Sequence, residues 1–367
     1  MRRTALPKAE LAPGQSEALL RELHLVSRDG KLHADSLRKL KQVNHLAGLL
    51  APALADLAAR FPKAQVLDAG AGNAYLGFVL YELFLRSGEA ELWSVETRPE
   101  LVERARSRAA RLGYGRMRFV ARTLEEAARE LPPVEPKNGA PAHAATASAP
   151  AGPAASESAQ TAPTAAQSAS DPQGLPARLH LVTALHACDT ATDDALVLAI
   201  RRRADHIAVV PCCQAEVAAQ LKEGRAQAAL SASPMAQLWS HPIHRREFGA
   251  HLTNVLRALV LESFGYVVTV TELTGWEHSL KNELILGRRV HKEHRGARAR
   301  LHELLAATGV RPKLVRELLP SLLTNSPGDE NPSTSPDVGG PTGAAEPARA
   351  DEPGGLAEAG PLVGAPE

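Results

Sequence analysis

Cysteine is scarce. Only Cys188, Cys212 and Cys213 occur in 367 residues, which excludes a disulfide framework and points to a reducing compartment. Hydrophobic runs are short, and none reaches the roughly 18 residues that a membrane span requires. Met1 to Leu11 lacks the apolar stretch of a secretory leader. The expectation is a soluble, cytoplasmic protein with no membrane partner. Aromatic residues are 4% of the chain, too few for extensive stacking on bases.

Charge is present but unevenly placed. The chain totals +1, yet Thr324 to Glu367 holds eight acids and one arginine, a net −7. The preceding residues therefore carry +8, an asymmetry that favours a nucleic-acid partner. Two segments are compositionally biased. Residues 133–176 are almost wholly Ala, Pro, Ser, Thr, Gln and Gly, and 325–367 are Pro, Gly, Ala and acid. Neither has enough large apolar side chains to offset the entropy of ordering, so both are expected to be disordered, one as an insertion and one as a tail.

The remainder alternates between two periodicities. Helical spacing marks 16–26 and 34–60, where Leu37, Leu40, Val43, Leu46 and Leu50 recur. Strands are predicted at 65–69, 91–96, 117–121, 179–185 and 206–210, with helices at 75–86, 99–111, 124–130 and 193–203 between them. A helix at 248–263 follows, ended by Gly265, and strands at 267–273 and 283–289 close the series. Strands separated by helices demand a parallel sheet covered on both faces. The predicted fold is α/β, with a doubly wound, seven-stranded, mostly parallel Rossmann-like sheet and a C-terminal antiparallel hairpin. A helical extension (1–63) precedes the main domain (64–291), and a basic helical segment (292–323) and an acidic tail (324–367) follow it.

The first strand runs into Asp68-Ala69-Gly70-Ala71-Gly72-Asn73, and the second ends in Glu96. Gly70 and Gly72 permit a tight turn and close approach of backbone to ligand. The helix that follows offers free N–H groups, and Glu96 falls where an acid would hold a ribose. The dinucleotide fingerprint wants a third glycine three residues after the second, but that position is Tyr75. The loop therefore reads as a cradle for S-adenosyl-L-methionine (SAM), with Asp68, Gly70, Gly72, Asn73 and Glu96 as cofactor-binding candidates. The closing hairpin supports the same reading, because a nicotinamide-type sheet more often continues in parallel.

Three further loops fall at the same sheet edge. They are Leu185-His186-Ala187-Cys188-Asp189, Val210-Pro211-Cys212-Cys213-Gln214 and Glu277-His278-Ser279-Leu280-Lys281-Asn282. With the lysine-rich leader Lys39-Leu40-Lys41-Gln42-Val43-Asn44-His45, this set resembles a methyltransferase-domain family. That family includes transfer-RNA 2′-O-methyltransferases of the Trm-thirteen type and several methyltransferase-like proteins. The resemblance spans about 36–130 and 178–290. It implies a class I SAM-dependent methyltransferase. One departure is Asp189, which stands where the family often has glycine.

Catalytic candidates are His186, Asp189, Cys212 and His278, and His186 also reads as a wall of the cofactor pocket. Asp189 reads equally as a helix cap, and Cys212 as a nucleophile or as pocket lining. A Cys3His metal set from His186, Cys188, Cys212 and Cys213 lacks C-x2-C spacing, so no metal is expected. The eight basic residues from Arg288 to Arg300 suit a phosphate backbone, which makes RNA the favoured acceptor. A protein or small-molecule acceptor, and a non-catalytic SAM- or RNA-binding scaffold, are the alternatives.

Overall fold

The computed structural model describes residues 10–11, 16–26, 34–129, 174–185, 187–211, 214–223, 226, 237, 240–272 and 283–323. Of the side chains of 34–39 and 42 nothing is described. Residues 130–173, which hold most of the predicted insertion, and the tail from 324 lie outside these residues, as do His186, Cys212, Cys213 and His278.

Helices α1 (Glu17–Glu22) and α2 (Ala34–Arg60) lead into β1 (Gln65–Ala69). Then come α3 (Tyr75–Leu80), continued by a π-helical turn at Tyr81–Leu85, β2 (Glu91–Glu96), α4 (Pro99–Leu112), β3 (Met117–Ala121) and α5 (Leu124–Arg129). The second half runs β4 (Leu181–Ala184), α6 (Thr190–Arg201), β5 (His206–Val209), α7 (Glu216–Gln220), α8 (Pro242–Ser263), β6 (Tyr266–Glu272) and β7 (Glu283–Arg289). Helices α9 (Arg295–Thr308) and α10 (Lys313–Leu318) follow.

The sheet order is β3-β2-β1-β4-β5-β7-β6. Strands β1 to β5 pair in parallel, and β7 pairs antiparallel with both β5 and β6. This is the expected fold. Because both faces are covered, the parallel strands are nearly all buried, and successive side chains enter two separate cores. Leu67, Ala69, Trp93 and Val95 join the core with α6 and α8. Val66 and Leu92 join the other, with α2, α3 and α4. Asp68 and Ser94 are register partners on that second face, against α3.

Helix α8 begins at Pro242, six residues before the predicted start. His241 is extended, with φ −89° and ψ 144°, and Pro242 takes the first helical position where its missing N–H costs nothing. The predicted insertion also runs two residues too far at its end. Leu175 is buried, and the Arg202 guanidinium donates to the carbonyls of Leu175 and Pro176, so 175–176 belong to the packed body.

Helix α6 ends in a Schellman turn, with Arg203 N–H to the Ile200 carbonyl at 3.0 Å and Ala204 N–H to that of Ala199 at 2.9 Å. Arg203 sits there in the left-handed region (φ 56°), which glycine occupies at the ends of α4 and α9. Its side chain is exposed, so the strain is not offset by packing. Arg203→Gly is expected to raise the unfolding free energy by about 1 kcal/mol, read as a higher urea midpoint at unchanged slope. An unchanged or lower midpoint would contradict this.

Candidate functional site

The sheet reverses its strand order at β1, whose neighbours are β2 and β4. Ligands of open α/β sheets bind in the crevice at such a switch point, beyond the carboxyl ends of the strands. Here the crevice is bordered by the turn after β1, the end of β2 and the loop after β4.

The turn after β1 holds three alternate positions in the left-handed region: Gly70 (φ 65°), Gly72 (φ 57°) and Ala74 (φ 55°). At Gly70 a Cβ would meet the Ala187 Cβ at 3.3 Å, so the loop after β4 lies directly against the glycine turn. The Ala71 N–H donates to the Val95 carbonyl at 2.9 Å and the Gly72 N–H to Glu96 Oε2 at 2.8 Å. The turn is thus folded across the tip of β2. Asn73 is exposed, and its carbonyl accepts from Arg108.

Glu96 is 7% exposed. Its other carboxylate oxygen accepts from the Arg98 side chain at 2.9 Å and from the Arg98 N–H and the Thr97 hydroxyl, each at 3.2 Å. Burial pushes the Glu96 pKa up, but the Arg98 guanidinium and the two backbone amides outweigh it and hold the group below the usual carboxylate range. A charged acceptor is therefore kept at the crevice. The Arg98 side chain is largely exposed and can turn outward to leave an acceptor site open.

Asp68 stands beneath the turn. Its Oδ2 accepts the Gly77 N–H at 3.1 Å, and Thr183 lies 3.5 Å from its Oδ1. A Cβ on Gly77 would come within 3.2 Å of Oδ2 and 3.1 Å of Leu92, which is why this helical position is glycine. Asp68 therefore anchors the first turn of α3 from below. Burial pushes its pKa from the ordinary 3.8 up to about 7, against the opposing pull of its hydrogen bonds to Gly77 and Thr183. The folded protein keeps this proton over a range in which the unfolded chain has lost it. The contribution of Asp68 to stability is therefore expected to fall as pH rises from about 4 to about 7. An asparagine side chain has no proton to lose, so Asp68→Asn should flatten that part of the urea-stability profile. An unchanged slope would show that Asp68 ionises normally.

Asp189 has φ 49° and ψ −121°, a backbone state that glycine takes without strain. It sits at the N-cap of α6 but makes no cap bond. Its Oδ1 instead accepts the N–H groups of Ala215 (2.9 Å) and Glu216 (3.3 Å), at the start of α7. The carboxylate thus ties the loop after β4 to the loop after β5. Beside it, Gln214 is buried, and its Oε1 has no hydrogen-bond partner among the described residues. The hydroxyl of Tyr75, at the start of α3, is likewise buried and has no partner among the described residues. Cys188 is exposed.

Sequence reading missed a buried polar group that supports these loops. Arg257, on α8, is 1% exposed. Its Nε donates to Asp193 Oδ1 (2.7 Å), its Nη2 to the Asp189 carbonyl (2.9 Å) and its Nη1 to Asn254 Oδ1 (3.2 Å). Asn254 in turn donates to Glu283 at the first position of β7 (2.8 Å). The available signal was an arginine among Leu252, Leu256, Val260 and Leu261 on the apolar face of a helix. A cation placed there needs a buried acid.

Among the described residues no group of three or more His, Cys, Asp or Glu is placed to hold a metal ion, and no helix is long and apolar enough to cross a membrane. A groove of about 500 Å³ lies elsewhere, between α2 and strands β5, β7 and β6, lined by residues such as Leu50, Asp56, His206 and Arg288. It shares no residue with the glycine turn or with Glu96.

Residues 38–220, just under half of the chain, match a family model described as a methyltransferase domain. The match supports a methyltransferase and implies SAM as the methyl donor. The left-handed glycine turn and the charged Glu96 fit that donor. No curated protein matches the chain. Similar solved structures include an rRNA methylase from Streptococcus thermophilus, 10% identical, covering 66% of this chain and 96% of its own, with TM-score 0.35. The SAH-bound methyltransferase PaMTH1 of Podospora anserina is 13% identical, with coverages of 75% and 88% and TM-score 0.37. The fibrillarin pre-rRNA processing protein of Methanococcus jannaschii is 8% identical, with coverages of 64% and 68% and TM-score 0.29.

Proposed function

We propose that this protein is a SAM-dependent methyltransferase that acts on RNA, related through its HACD, PCC and EHxxKN loops to the Trm-thirteen type of enzyme. The observation that carries the donor half is the Gly72–Glu96 contact. A left-handed glycine turn and a buried, ionised carboxylate meet at the switch point of a doubly wound sheet. Glu96 would accept from the ribose hydroxyls, and the turn from Gly70 to Asn73 would face the rest of the donor. Asp68 holds the first turn of α3, which follows the glycine turn, through the Gly77 N–H. The sulfonium supplies an already activated methyl group. The chain has then to align an acceptor in line with it and, for a neutral acceptor, take up one proton.

The acceptor half falls to the loops that Asp189 ties together. By sequence, His186, Cys212 and His278 fall in the loops after β4 and β5 and between β6 and β7, and with Asp189 they remain the candidates for contact with the acceptor. The basic segment from Arg288 to Arg300 supports RNA over protein. Incubating the full chain with methyl-labelled SAM and either total RNA or a protein extract tests the proposal. Label is expected in RNA, and label confined to protein would overturn the RNA reading.

A further inference from the structure

The basic segment does not lie beside the crevice. Strand β7 is antiparallel, and its register fixes where each end falls. Ile285 pairs with Val209, the last residue of β5, whereas Arg288 pairs with His206, the first. The N–H of Arg289 donates to the Asp205 carbonyl, just before β5 begins. Glu283 thus lies at the crevice edge, and Arg288, Arg289 and everything up to Arg295 lie at the opposite edge. Six steps of about 3.3 Å from Glu283 to Arg289 put about 20 Å between them.

This far edge carries cations that no described acid neutralises. Arg60 and Arg178 share Asp205, and Arg300 pairs with Glu262. Arg288, Lys292 and Arg295 are exposed, and among the described residues none has an acidic side chain within ion-pair reach. The turn that bears them is stiff. The N–H groups of Val290 and His291 both donate to the Gly265 carbonyl at 3.0 Å, and the His294 N–H to that of Ser263 at 3.1 Å. The His294 ring nitrogen Nδ1 accepts the Ala297 N–H, capping α9. Gly265 (φ 84°) admits no side chain, because a Cβ would stand 2.2 Å from the His291 carbonyl oxygen. A rigid platform of exposed guanidinium and ammonium groups matches a phosphate backbone. The turn carries no aromatic anchor of the kind used at a bilayer surface; Val290 is its one exposed large apolar residue.

Resting on the RNA reading above, we infer that Arg288, Lys292 and Arg295 form a docking edge for the phosphate backbone of an RNA. The nucleotide to be methylated is presented at the opposite edge of the sheet. A strand seated on these cations must run about 20 Å around the domain to reach the crevice. At about 3.4 Å per stacked nucleotide this is roughly six nucleotides, so a short single strand cannot engage both edges. The substrate class is an RNA longer than about six nucleotides, with a stem-loop as its compact form.

The test uses the full-length chain and its triple variant Arg288→Glu/Lys292→Glu/Arg295→Glu. Two fluorescent probes are compared by anisotropy across a salt series, a twelve-base-pair stem-loop and a four-nucleotide single strand. The wild type is expected to prefer the stem-loop. The variant should bind it about tenfold or more weakly, with a log–log salt slope shallower by about 2 to 3, while SAM affinity stays within about twofold. Equal stem-loop binding by wild type and variant overturns the docking edge. Retention of the wild type on phosphatidylserine vesicles, with none on RNA, overturns it as well. The two readings fail separately. If the wild type and the variant label total RNA equally well from methyl-labelled SAM, the docking edge is wrong and the RNA acceptor stands. If the wild type labels only protein, both fall.

Discussion

Glu96→Ala is expected to weaken SAM binding by about 100-fold or more, below detection by calorimetry at ordinary protein concentrations. The size follows from what the carboxylate does. A hydrogen bond to a charged group is worth about 1.5–3 kcal/mol, and a ribose offers two hydroxyls to one carboxylate, so losing both costs about 3–6 kcal/mol. The substitution has a second effect. The Gly72 N–H donates to Glu96 Oε2, so alanine also removes the bond that folds the glycine turn over β2. Glu96→Gln separates the two, since its amide oxygen can still accept from Gly72 while the charge is lost. It should keep the fold and lie between wild type and alanine in affinity. Thermal unfolding of both variants in the absence of SAM controls for global damage. Wild-type affinity in Glu96→Ala would remove Glu96 from the site, and a wild type that binds no SAM would remove the donor itself.

The part of this site built from local grammar was legible in the sequence. Asp68, Gly70, Gly72 and Glu96 are named by a strand, a turn whose φ values must be positive, and a second strand of the right length. All of that is written between Gln65 and Glu96. The start of α8 was also written locally, in Pro242, although the apolar spacing that marks the helix sets in only further on. Other features depend on what the fold brings together and have no local signature. Ala74 and Asp189 occupy backbone states that favour glycine, and nothing in their neighbours announces it. The aspartate at 189 makes sense only once α7 lies across from it, presenting two amides to the carboxylate. The basic segment was visible as a run of charge. Its distance from the crevice follows from the antiparallel register of β7 with β5, which fixes the direction in which the run leaves the sheet.

Arg257 is the clearest of these long-range features, and its replacement should have the largest effect on stability. Arg257→Met is expected to cost about 3–5 kcal/mol, read as a lower urea midpoint. Methionine keeps much of the volume but leaves the buried Asp193 carboxylate without its cation. It also leaves the Asp189 carbonyl and the Asn254 amide oxygen without donors. The cost arises from those stranded groups, not from the net worth of the ion pair, since burying two charges consumes most of what their attraction returns. Arg257→Met combined with Asp193→Leu therefore should recover much of the loss, because the stranded charge is gone. Arg257→Lys should recover less. An ammonium cannot reach Asp193, the Asp189 carbonyl and Asn254 in the fixed directions that the guanidinium fork serves. If the double substitution is as unstable as Arg257→Met alone, the stranded carboxylate is not the source of the cost. Most of the loss would then come from the support that Arg257 gives to the loop after β4.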